Sequence, residues 1–197
     1  MKAYKLTDSN GQTKNNTQWG IGVTHSAVGS LKVLCSSGWI HFYKDPILAI
    51  IMNPIHANFN NPKLWECETS GKHLHEPLKS GCKTLTTIKE IPIPKISNVQ
   101  KVIFAILCAK KIYKAKKWNA WADKWISGED RTETSADAIL KLHPNLFYNE
   151  AYYATYSTKF CDRDYNYYAI AAARTTSFIN SKIDFAKIAK KAITYKS

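Results

Sequence analysis

The chain has 197 residues, 45% of them hydrophobic, and a formal charge of +13 at pH 7. That length can bury a sizeable core without metal or disulfide support, and the longest apolar run falls far short of the ~18 residues a membrane-spanning helix needs. Five widely spaced cysteines with no CxxC pair exclude a zinc-finger or small disulfide framework.

MKAYKLTDSNGQ at the amino terminus lacks the apolar run of a signal peptide, so a cytosolic setting with reduced thiols is expected. Met1–Asp8 alternates as an opening strand, and Ser9-Asn10-Gly11 is a turn. Trp19–His25 and Leu31–Cys35 read as short strands, with Gly20 and Gly22 marking a bulge or a close backbone approach. Trp39–Tyr43 is a strand by composition. Asp45 then caps a helix whose first turn holds Pro46. Its run Ile47–Met52 is apolar all round and should be buried, and Asn53-Pro54 should end it.

Leu64–Thr69 alternates again, with Trp65, Cys67 and Thr69 on one face and Glu66 and Glu68 on the other. Ser70–Ser80 reads as a loop carrying His73 and His75, and Thr84–Ile93 as a late strand. Ser97 and Gln100 have the spacing of a capping box. The helix behind them should run to about Lys117, followed by a stripe of Trp118, Trp121 and Trp125 that Gly128 stops. Further helices are expected near 134–142, 147–160 and 164–179, with a last one after Asp184. The fold class is therefore α+β. A small, mostly antiparallel sheet with one buried helix (1–94) should pack against a helical half (95–197), closely enough to form one body.

The charge points to anionic partners. No acidic residue falls between Ile91 and Ala122, while Lys101, Lys110, Lys111, Lys114, Lys116 and Lys117 do. These six are the candidate partner-binding residues. Arginine is scarce, at Arg131, Arg163 and Arg174. Phosphate contact therefore fits better than bidentate base reading. The tryptophan stripe is either core or a stacking surface.

The motifs LCSSGW-x-H (from Leu34), NPIHAN (from Asn53) and WADKWISGEDR (from Trp121) resemble a family of bacteriophage and bacterial proteins with no established activity. The resemblance spans most of the chain and is most specific over Leu34–Asn58 and Trp118–Arg131. It implies a soluble, phage-type accessory protein of the bacterial host cytoplasm, and it transfers no catalytic residue.

Three arrangements could carry chemistry. His41 and Tyr43 on one strand face, with Glu68 on a later strand, suit a nucleotide-using transferase of the ADP-ribosyltransferase kind, the carboxylate steadying an oxocarbenium-like transition state. His73-x-His75 has a two-ligand spacing but no fixed third ligand, so no metal is expected. Cys35 before Ser36-Ser37-Gly38 reads as a buried structural thiol. The leading expectation is a basic, non-enzymatic protein without cofactor. It would engage nucleic acid or a bacterial nucleoprotein complex, not a membrane, in the manner of a host-defence inhibitor. The alternatives are the transferase and a virion or assembly component.

Overall fold

The structure, a computed structural model, describes residues 1–30, 33–142, 149–162 and 167–196. It is an α+β fold with an antiparallel sheet and a helical carboxy-terminal half. The chain divides into two compact units, Met1–Lys95 and Ile96–Ser197.

The first unit carries strands β1 (Lys2–Thr7), β2 (Gln12–Thr13), β3 (Thr17–Gln18), β4 (Thr24–Ser26), β5 (Ile40–Phe42), β6 (Lys63–His75) and β7 (Ser80–Ile91), with helix α1 (Pro46–His56) after β5. The main sheet runs β1-β6-β7-β4, and β5 pairs with β7 beyond β4 on the same edge. Tyr4 and Tyr43 then exchange both backbone hydrogen bonds at 2.8 Å, which closes a circuit from β5 back to β1. Inside it Ala3, Trp19, Phe42, Trp65, Cys67, Cys82 and Leu85 form one apolar cluster. The alternation read on β6 holds: Trp65, Cys67 and Thr69 are buried, and Glu66 and Glu68 are the more exposed set.

Four local expectations are corrected here. Trp19–His25 is not one strand. It breaks into a turn at Ile21-Gly22, where Gly22 takes φ +74 and its N–H donates to the Thr87 carbonyl at 2.8 Å. Val33–Cys35 is a turn, and Leu31 and Lys32 lie outside the described residues. Ser70–His75 is strand rather than loop, because β6 absorbs an extra residue between Ser70 and His73 as a bulge at Gly71 (φ +75). Pro54 does not end α1. The helix continues to His56, because a proline in the last turn forfeits a single backbone bond. Asn53 closes it instead, its carbonyl accepting from the Ala57 and Asn58 N–H groups and its side chain exchanging bonds with the Phe59 backbone.

The second unit is built on α2 (Asn98–Ile112). Seven of its residues are buried on nearly every side, and α5 (Glu150–Thr158), α6 (Tyr167–Ile179) and α7 (Phe185–Ala192) pack on it. Both halves of the capping box are present: Ser97 Oγ accepts from the Gln100 N–H, and Gln100 Oε1 accepts from the Ser97 N–H. The helix does not reach Lys117. It stops at Tyr113, whose backbone is extended, and α3 (Lys116–Ser127) starts afresh. Asn119 holds the break by donating to the carbonyls of Tyr113 and Ala115, both at 3.0 Å. The new helix direction buries Trp118, Trp121 and Trp125 together, which places the tryptophan stripe in the core. Gly128 ends α3 at φ +86, a left-handed conformation that suits glycine. Helix α4 (Glu133–Leu142) follows. The starts expected at 147 and 164 fall outside the described residues.

Candidate functional site

His41, Tyr43 and Glu68 occupy three separate environments. His41 is half-buried on β5, its Nε2 2.6 Å from the Leu34 carbonyl, and burial holds its imidazole below the ordinary value. Tyr43 is buried, its hydroxyl 3.0 Å from His56 Nδ1, and that burial raises its pKa. Glu68 is exposed on β6, opposite Lys2 and Thr86. The β7 partner of His41 is Gly81, five residues from Thr86, or roughly 16 Å of strand rise. The structure does not bring the three around one ligand.

Other candidates in the first unit are held structurally. His73 and His75 stack 5.8 Å apart on β6 and bond Thr69 Oγ1 and Ser80 Oγ, both partners within the sheet. Among the described residues no group of three or more His, Cys, Asp or Glu is placed to hold a metal ion. The reading of Cys35 as a buried thiol is corrected: Cys35 is exposed, and Lys79 Nζ donates to its sulfur at 2.9 Å. Burial pushes the thiols of Cys67 and Cys82 up to about 12 and about 11, so neither is a thiolate nucleophile at neutral pH.

The six lysines of the second unit also separate. Lys101 is half-buried beside Asn98 Oδ1 at 3.0 Å. Lys110 is paired with Asp123. Lys114 reaches back to the Lys110 carbonyl at 2.7 Å and helps end α2, where a cation is favoured. Lys116 and Lys117 are exposed in the first turn of α3, which starts without a side-chain cap. Lys111 faces a groove.

That groove, of about 430 Å³, lies between α2 and α7. Gln100 Nε2 ties the start of α2 to the carbonyls of Ile193 and Tyr195 beyond the end of α7, so the two helices run antiparallel. The groove lies at the other end. Leu107 and Lys111 reach it from one turn spacing on α2, and Lys187, Ile188 and Lys191 from one face of α7. Lys182, Ile183 and Asp184 close it. Its body is therefore aliphatic and its rim carries Lys111, Lys182, Lys187 and Lys191. Among the described residues none of the four makes an ion pair. The carboxylate of Asp184 is engaged as the N-cap of α7, accepting from the Lys187 N–H at 2.9 Å. Repulsion between exposed ammonium groups is weak in water, about 0.5 kcal/mol for a pair ~8 Å apart, and attraction to a bound anion would more than offset it.

Three of these lysines, Lys182, Lys187 and Lys191, are absent from the set that sequence clustering selects. Their signal is the four-residue spacing of Lys187 and Lys191 behind the Asp184 cap. It becomes visible only when α7 is laid against α2. The chain matches no protein-family model, no curated protein and no solved structure with which it was compared.

Proposed function

We propose that the chain is a non-enzymatic binding protein that engages nucleic acid, or a nucleic-acid-containing bacterial complex, through the basic face of residues 96–197. The observation that carries this reading is the groove rimmed by Lys111, Lys182, Lys187 and Lys191. Ammonium groups act as compact point charges suited to phosphate, and they do not fix a base edge as a guanidinium fork does. Lys114, Lys116 and Lys117 follow Lys111 within six residues and add to the positive charge of this unit. The transferase reading loses support, because its three residues stand apart. Together with the resemblance to phage proteins, this face suits an inhibitor that docks on the nucleic-acid component of a host defence machine.

The test is binding of labelled DNA and RNA, single- and double-stranded, across a salt series. Micromolar or tighter binding with a steep log–log salt dependence is expected. No binding at low salt would remove the proposal.

A further inference from the structure

Helix α6 ends in two exposed apolar side chains. Phe178 is 80% exposed and Ile179 55%. The helix is not loosely packed, since Ala169, Ile170, Ala172, Ala173 and Thr176 are buried along it. Its environment is cationic. Arg174 lies four residues before Phe178, one turn away on the same helix face and ~6 Å along the axis. Lys182 lies four residues after it, in the turn that joins α6 to α7. That turn is fixed by the Asn180 N–H on the Thr176 carbonyl and the Lys182 N–H on Asn180 Oδ1, both at 3.0 Å. No acidic residue falls between Asp164 and Asp184. Among the described residues neither Arg174 nor Lys182 makes an ion pair. Lys182 is also a wall of the groove.

Building on the nucleic-acid reading above, we infer that Phe178 is a stacking platform for an unpaired base and that the α2–α7 groove therefore takes single-stranded nucleic acid. Phosphates on either side of the stacked nucleotide meet Arg174 and Lys182, and the strand continues onto Lys187, Lys191 and Lys111. An exposed phenyl ring with basic residues four positions before and four after it offers the aromatic face and the positive charge that single-strand binders combine, and it is tolerant of sequence because every base has a flat face. A duplex keeps those faces inside its stack and gains only the phosphate contacts. An anionic membrane also attracts lysine and phenylalanine. However, the apolar side of α7 (Phe185, Ile188, Ala189, Ala192) is already buried, so α7 itself has no free apolar face to lay in a bilayer.

The experiment uses the full chain, its Phe178→Ala variant and its Phe178→Trp variant. Each is titrated with a labelled single-stranded oligonucleotide, the same backbone with abasic positions, a duplex of equal length, and vesicles containing anionic phospholipid. Phe178→Ala should lose about tenfold in affinity for the single strand, the order expected for one stacked base. It should keep its affinity for the duplex and the abasic strand within twofold, and Phe178→Trp should restore the single-strand value. Phe178 is exposed, so the variants should fold as the parent does. An unchanged single-strand affinity in Phe178→Ala overturns the stacking role and leaves the polyanion reading standing. Vesicle binding that depends on Phe178, with oligonucleotide binding that does not, overturns it in favour of a membrane. No oligonucleotide binding by the parent chain overturns the reading on which it rests.

Discussion

Lys5 sits inside the closed strand circuit, its ammonium 4.6 Å from the Trp19 ring centroid and 3.2 Å from the His41 carbonyl that accepts its hydrogen bond. The residue is buried, and that burial pushes its pKa down to about 8 from 10.5. At neutral pH it is protonated both folded and unfolded, so the cost of burying the charge is fully present. Between about 8 and 10.5 the unfolded chain binds more protons than the folded one, and the contribution of this position to stability rises with pH. Wild type should therefore gain on Lys5→Met across that window, by up to ~3 kcal/mol. Denaturation midpoints at pH 7 and pH 10.5 would show this. Burial raises the Cys67 and Cys82 thiols and opposes the trend in both proteins, and the Lys5 charge that lowers them in wild type is gone once Lys5 is neutral above about 8. A constant difference between wild type and Lys5→Met would mean that the ammonium is hydrated.

At the scale of elements, the second unit depends on how α2 ends and α3 begins. Trp118 is fully buried and donates from Nε1 to Thr155 Oγ1 at 2.8 Å, which links α3 to α5. Trp118→Ala should cost ~3–5 kcal/mol. Thr155→Val should cost ~1–3 kcal/mol, because it leaves a buried N–H without its acceptor. Ser97→Ala should cost ~1 kcal/mol by opening the capping box of α2. Chemical denaturation reads all three, and a Thr155→Val protein as stable as wild type would contradict the buried hydrogen bond.

The same elements show what was legible in the sequence. Local chemistry was: the Asp45 and Ser97 caps, the Gly128 stop and the alternation of β6 all follow from side chains within a few residues of each other. What was hidden depends on partners distant in sequence. Gly71 reads as a loop until β7 holds the bulge in register. Lys110 to Lys117 reads as one helix until Asn119 claims the carbonyls of Tyr113 and Ala115. The groove was half legible for the same reason. Lys111 stood out in a run of lysines, whereas Lys187 and Lys191 join it only through the packing of α7 on α2.

Over the whole molecule, 28 basic residues face 15 acidic ones, so some attraction to any polyanion is expected of the chain. The central claim is narrower: the groove concentrates that attraction. The most direct measurement compares two variants of equal net charge by log–log salt titration of oligonucleotide binding. One carries Lys111→Glu, Lys182→Glu, Lys187→Glu and Lys191→Glu. The other carries Lys14→Glu, Lys44→Glu, Lys72→Glu and Lys89→Glu, all exposed positions of the first unit. The groove variant should lose most of its binding and flatten the salt slope by roughly 3, as expected when about four phosphate contacts with a single strand are removed. The second variant should keep a slope close to wild type. Equal losses in both would contradict a defined interface and leave only the diffuse charge of the chain.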